Sequence, residues 1–429
     1  MAAADSTAPS AAKRRKTWHI EPSAFSKRVH NPIRAIVDNI KKPDDPDKEL
    51  IPLSLGDPTV FGNFKTPQYF VDKLQENLLS FKHNGYVHSA GPPAARAAVA
   101  ARYGTATSPL TAEDVVITCG CSGALDFAIG VLLSPGQKLL LPRPGFPLYA
   151  TLAASKCIDV EYYNLDPAKS WEIDLEHLES VMDPSVGAIL VNNPSNPCGS
   201  VFSKEHLQAI LAIADKHKVP IIADEIYGDM TFPGHTFHPI ASLTSTVPVL
   251  ATGGIAKQFL VPGWRVGWVK VHDQQGLLGE VREALFRMSQ LILGANSLIQ
   301  SALPSLLTPP AGSPDEAALA TFKAEVMEQL HANAQVVADG LAAVPGITPI
   351  VPQGAMYVMI GIDVAALDGV VDDQDFCQKL LTEQSVFMLP GACFGMPNYA
   401  RVVFSAPKAK LEEAVKRIAA FCEAHAKSS

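Results

Sequence analysis

The sequence predicts an α/β protein with a mostly parallel central sheet in a large domain and a smaller α+β domain beside it. Short, nearly uninterrupted apolar runs recur through the middle of the chain, each ending in a Gly-, Pro- or Asn-rich turn. Helical spans such as 204–217 separate them, which is the pattern of strands covered on both faces. Beyond residue 312 the pattern changes to one long helix followed by shorter strands. A chain of 429 residues is also too long for one ordinary core and suggests two or three domains.

Residues 1–21 are rich in Ala and Ser, carry the basic run Lys13, Arg14, Arg15, Lys16, and are expected to be a disordered tail. The basic run reads as a solvated end, with a targeting address as the alternative. Residues 22–75 begin with NPIRAIVDNIKK, where Pro32 opens a short helix and Ile33, Ile36, Val37 and Ile40 share one face. IPLSLGDP follows as a strand that breaks at Gly56, Asp57 and Pro58. This part is expected to pack with the small domain.

The large domain is expected over 76–312. It starts with turn formers around Tyr86 and an alanine-rich helix ending at Tyr103. VVITCGCSGALDFAIGVLL then gives a strand at 115–118, a Gly/Cys/Ser turn, and a helix opening at about Ser122 whose free N–H groups and dipole suit a phosphate. LLLPRPGFPLY ends a strand and puts Phe146 at its exit. Three more strands end at Asn196, Asp224 and Lys257, and ligands of such sheets lie outside the carboxyl ends of the strands. Ser313, with Pro314 next and Glu316 three residues on, caps the long helix of the small domain, 313–429, with a capping box. A last helix carries Leu411, Val415, Ile418 and Phe421 on one face.

Composition excludes some classes. A formal net charge of −8 gives no electrostatic case for nucleic acid. There is no run of 18 apolar residues, so no membrane-spanning helix is expected. Seven cysteines with no regular spacing read as reduced thiols of a cytoplasmic protein, with the mitochondrion as the alternative. Cys119 and Cys121 have no histidine near them in sequence, and no metal site is expected.

Lys257 stands just past a buried strand, behind Gly253 and Gly254, with Arg265 eight residues on in PGWRVGW. Its amine is partly desolvated there and available as a nucleophile, while the two glycines allow a flat ligand to approach. Taken singly, each of these residues reads equally well as a turn or core residue. Together, an amine, a carboxylate, a guanidinium and a helix N-terminus are the parts of a pyridoxal phosphate site. Lys257 would form the Schiff base, and Asp224 would pair with the pyridine nitrogen. Arg265 and the hydroxyl near Ser122 would bind phosphate, Tyr227 and Asn196 the ring oxygen, and Phe146 would stack.

The segments SLGDPTVFGN, PRPGFPLY, VNNPSNPCGSVFSKEHL, ADEIYGDM, GGIAK and VPGWRVGW resemble the fold type I pyridoxal phosphate-dependent aminotransferases, and among them the kind that acts on tyrosine. The resemblance runs from about Pro22 to the last helix. It implies a homodimer, Lys257 as the Schiff-base lysine, Asp224 as partner of the ring nitrogen, and Tyr227 and Asn196 as ligands of the ring oxygen. It implies phosphate contacts from Cys121, Ser122 and Arg265, with Tyr86 of a neighbouring subunit. Arg401 would clamp the substrate carboxylate, with Gly56 and Asn196 beside it. The implied reaction is a ping-pong transfer of the amino group of L-tyrosine, or of another aromatic or apolar amino acid, to 2-oxoglutarate or pyruvate. A β-eliminating C–S lyase, or a non-catalytic binding protein on the same fold, are the alternatives. Two departures stand out: Gly254 replaces a serine often found three residues before the lysine, and Leu291 stands where a related chain presents arginine.

Overall fold

The computed structural model describes residues 18–427 except 19, 42, 44 and 46; the basic run Lys13 to Lys16 lies outside them. Its largest sheet has eight strands: β1 (Val115–Thr118), β2 (Lys138–Arg143), β3 (Asp159–Asp166), β4 (Glu172–Ile173), β5 (Val186–Asn192), β6 (Ile221–Asp224), β7 (Val249–Gly254) and β8 (Gly267–His272). The spatial order is β1-β8-β7-β6-β5-β2-β3-β4. Strands β3, β2, β5, β6 and β7 are mutually parallel, whereas β8 runs against both β7 and β1, and β4 against β3.

The apolar runs are buried on both faces, and alternate residues serve different cores, as the two-residue period of a strand requires. Leu140, Ile189, Val191, Ile221, Val249 and Ala251 meet Leu207, Ile210 and Ala214 of the helix Lys204–His217. Leu139, Leu141, Leu190, Ile222, Leu250 and Val269 face Ala124, Leu125 and Ala128 of the helix Gly120–Leu132. Each fully buried Leu, Ile or Val of this kind contributes roughly 1.5–3 kcal/mol of transfer free energy. That helix opens at Gly120, two residues before the expected start at Ser122.

A second, antiparallel sheet of β9 (Ile347–Pro349), β10 (Tyr357–Ile362), β11 (Leu389–Pro390) and β12 (Tyr399–Val403) has the order β9-β10-β12-β11. Helices Pro314–Ala342 and Lys408–Ala424 bury Leu330, Val337, Leu341, Leu411, Ile418 and Phe421 in its core. The long helix starts as the cap predicts, with Ser313 Oγ accepting from the Glu316 N–H at 3.2 Å. The reciprocal bond closes one residue upstream: the Glu316 carboxylate accepts from the Gly312 N–H at 2.6 Å.

The N-terminal part joins this second body. Ile51–Pro52 pairs in parallel with Val386–Phe387. The helix Pro32–Val37, capped by Asn31, sets Ile33, Ile36 and Val37 against Leu381, Phe387, Leu389 and Phe394; it ends before Ile40, which joins the same cluster from the turn that follows and not from the helix face expected.

Candidate functional site

Reversal of one strand explains how distant segments meet. The exits of β1, β5, β6 and β7 open at one edge of the large sheet, and β8 enters at that same edge because it runs the other way. Cys121 and Ser122 follow β1, Asn196 follows β5, Asp224 ends β6 and Lys257 follows β7, while Arg265 lies two residues before β8. All six line one cavity of about 310 Å³, together with Gly56, Phe146, Tyr227 and Arg401.

Asp224 is the electrostatic centre. Its side chain is buried and accepts from the Tyr149 hydroxyl at 2.7 Å, the Ile226 N–H at 3.3 Å and the Cys121 thiol at 3.6 Å. Burial raises its pKa above the ordinary carboxylate value, against the opposing pull of those three donors. Among the described residues no cation pairs with it. A protonated ring nitrogen is the kind of group that would supply the missing charge.

Arg401, on β12, is its counterpart of opposite sign. It is 3% exposed, donates from Nη1 to Asn196 Oδ1 at 2.8 Å and from Nη2 to the Ser54 carbonyl at 2.6 Å, and leaves Nε buried without a partner. Tyr357 and Phe394 cover the guanidinium, with ring centres 4.6 and 4.7 Å from Cζ. Burial lowers its pKa, and among the described residues no carboxylate faces it. A buried guanidinium without an acidic partner suits an incoming carboxylate.

Lys257 Nζ donates to the Gly56 carbonyl. Tyr227 shares a 2.7 Å hydrogen bond between hydroxyls with Tyr357, and Phe146 packs edge-on to Tyr149. Arg265 holds the Pro262 carbonyl at 2.9 Å at the rim. It stands over the open N-terminus of the helix Gly120–Leu132, where anions are stabilised. Lysine, uncompensated carboxylate, aromatic face and cationic helix end together fit pyridoxal phosphate.

Gly254 and Gly267 face each other across β7 and β8. A Cβ on Gly254 would lie 2.8 Å from the Val266 carbonyl oxygen, and one on Gly267 would lie 2.4 Å from the backbone of Gly120. So the serine expected of related chains has no room at 254. Neither Gly253 nor Gly254 lines this cavity; Gly253 makes space for the Trp268 indole, not for a ligand.

Tyr86 is 93% exposed and stands away from the cavity of its own chain, as does Leu291 at 80%. Sequence reasoning missed Tyr149, Tyr357, Asn31 and Arg34, which also line the cavity. Only Tyr149 left a trace, three residues beyond Phe146 in the same segment. It also missed Asn192, whose Oδ1 accepts from the Asn196 N–H at 2.7 Å and shapes the turn that presents Asn196.

The model of the family "Aminotransferase class I and II" matches residues 48–418. The chain is 48% identical over 413 residues to the tyrosine aminotransferase of Mus musculus, covering 96% of this chain and 89% of that one. To the tyrosine aminotransferase of Dictyostelium discoideum it is 47% identical over 414 residues, covering 96% and 98%. The crystal structure of tyrosine aminotransferase from Leishmania infantum superposes with a TM-score of 0.89 at 36% identity, over 96% of this chain and all of that one (100%).

Proposed function

Since the chain belongs to the class I and II aminotransferases, enzymes that use pyridoxal phosphate, we propose that it moves the amino group of L-tyrosine to a 2-oxo acid. The observation that carries this is the pair of opposite, buried and unpaired charges, Asp224 and Arg401, facing the cavity that also holds Lys257. The full-length likeness to tyrosine aminotransferases supports tyrosine as donor. Phenylalanine and other apolar amino acids enter the same pocket, because an apolar wall discriminates weakly among them.

Bound pyridoxal phosphate supplies an aldehyde that takes up the amino group and a ring that draws off the electron pair of the Cα–H bond. Asp224 would hold a proton on the ring nitrogen. Arg401 grips the α-carboxylate with a planar fork, and Asn196, hydrogen-bonded to it, fixes that fork in place. Lys257, whose Nζ donates to the Gly56 carbonyl in the cofactor-free chain, would hold the cofactor's aldehyde and, once the substrate amine takes its place, would be the base that carries the Cα proton to the former aldehyde carbon. Cys121, Ser122 and Arg265 would hold the phosphate, Phe146 would stack on the ring, and Tyr227 would donate to its oxygen. One cavity serves both substrates, so the donor's 2-oxo acid leaves before the acceptor enters.

The assay is formation of 4-hydroxyphenylpyruvate from L-tyrosine in the presence of 2-oxoglutarate or pyruvate. Product only with an acceptor supports the proposal. Release of pyruvate and ammonia from a cysteine conjugate without one would instead assign a C–S lyase.

The working unit is a homodimer. Leu78, Leu79, Phe81, Leu291, Ile292 and Leu293 are exposed on two segments tied together by Asn77 Nδ2 to Ser301 Oγ and Ser297 Oγ to the His83 carbonyl, each 2.7 Å. Tyr86, beside this face, would reach the partner's phosphate. Leu79→Glu is expected to give a monomer in sedimentation with little activity; a dimer of unchanged affinity speaks against this face. Residues 313–429 form the small domain, with 22–75 packing against it, and 76–312 form the large one. Seven unpaired cysteines support a reducing compartment, the cytoplasm. Among the described residues no helix is long and apolar enough to cross a membrane.

A further inference from the structure

Behind the wall that carries Asp224 and Lys257 lies another cavity, of about 300 Å³, bordered by Tyr103, Glu225, Gln258, Trp268 and Lys270. Lys270 sits in the middle of β8, opposite Ala251 of β7 and Val115 of β1, and is 3% exposed. A lysine so deeply buried needs an anion, and it has one: Nζ donates to Glu225 Oε2 at 3.0 Å. The other Glu225 oxygen accepts from the Ile240 N–H at 3.2 Å. Nζ also lies 4.8 Å from the centre of the Tyr103 ring. The Tyr103 hydroxyl in turn donates to Gln258 Oε1 at 3.0 Å. Glu225 is the residue after Asp224, and Gln258 the residue after Lys257. One buried cation therefore holds, each through a single intermediary, the segment of the carboxylate and the segment of the amine.

We propose that Lys270 is a positioning residue of the site: through Glu225 and Tyr103 it fixes Asp224 and Lys257 relative to each other, and its charge offsets the second buried carboxylate beside Asp224. The proposal rests on the pyridoxal phosphate reading and deepens it. No motif of the sequence pointed to Lys270, because a lysine inside GWVKVH reads as one polar residue in a strand.

The groups that face this pair are few. Asp224 is faced by Tyr149, Cys121, Tyr227 and Glu225. Around Lys270 stand Tyr103, with Arg102 and Asp229 paired at 2.8 Å beyond it, and His272 two residues along β8. Burial and then the Lys270 charge push His272 down to about 3, so it is neutral at any working pH.

The test is a pH titration of the visible band of the holoprotein, reconstituted with pyridoxal phosphate, in four variants. Lys270→Met removes a positive charge and should move the midpoint up by roughly one pH unit, the scale expected of a unit charge several ångströms away through protein. Glu225→Gln should move it down. The double variant K270M/E225Q should return close to the parent, and Lys270→Arg should keep the parent value. A purely structural ion pair would alter stability in all four and leave the midpoint in place, and that result overturns the proposal. If K270M does not fold, E225Q and the double variant decide by the same signs. A parent without any visible band would remove the cofactor reading and this proposal together; a parent with a band that ignores these changes removes this proposal alone.

Discussion

Arg401 Nη1 and Asn196 Oδ1 meet at 2.8 Å, so the guanidinium of the small antiparallel sheet is fixed by the turn that leaves β5 of the large one. The same guanidinium is held at Nη2 by Ser54 in the N-terminal part. Three stretches far apart in sequence thus set one cation, and they do so by neutral acceptors that leave its charge for a ligand.

Replacing that planar fork by a single ammonium should hurt both half-reactions alike. Arg401→Lys is expected to lower kcat/KM for donor and for 2-oxo acid by about 10²-fold, the loss of two charge-assisted bonds of ~1.5 kcal/mol each. Steady-state kinetics with each substrate varied checks this. A loss confined to one substrate would mean that Arg401 does not bind the carboxylate they share.

Asp224 titrates higher in the folded chain than in the unfolded one, because burial penalises its charge. The folded form then binds more protons between the ordinary carboxylate value and the raised one, and the stability of the cofactor-free protein falls as pH rises through that window. Asp224→Asn should abolish this fall and stabilise the cofactor-free protein at neutral pH. The same change should weaken pyridoxal phosphate binding by roughly 30-fold or more, since it truncates one side of a buried charge pair. Tyr149→Phe removes the 2.7 Å donor to the carboxylate and should weaken binding by about 10-fold. Denaturant unfolding against pH and cofactor titration read these outcomes; a cofactor affinity unmoved by Asp224→Asn would detach Asp224 from the ring.

Adding a hydroxyl at 254, three residues before the lysine, should not help this chain. A side chain at 254 meets the Val266 carbonyl at 2.8 Å and the Gly267 Cα at 3.0 Å. Gly254→Ser is expected to cost ~1–3 kcal/mol of stability by overpacking and to give no gain in cofactor affinity. Tighter binding at unchanged Tm would show that the strand pair yields more than its geometry implies.

The strand ends were legible because the physics there is local. An apolar run must be buried, its end must turn, and a polar residue at the turn has nowhere to point but the open edge of the sheet; Asn196, Asp224 and Lys257 were found on that ground. Tyr149 and Tyr357 were not, since each lies inside a regular element and reaches the cavity only through packing. Arg34 and Asn31 arrive through the docking of the N-terminal helix on the second sheet, a contact between residues hundreds of positions apart. The glycines before Lys257 show the converse: their chemistry suggested a flat ligand, while their neighbours are Trp268 and the backbone of β8.

The most direct test of the account is the visible absorption spectrum of the holoprotein before and after L-tyrosine is added with no 2-oxo acid present. The expected result is a visible band of lysine-bound cofactor that gives way to the near-ultraviolet band of the aminated cofactor, and that returns when 2-oxoglutarate or pyruvate is supplied. A protein that takes up no cofactor, or a Lys257→Ala protein whose spectrum and turnover match the parent, would contradict it.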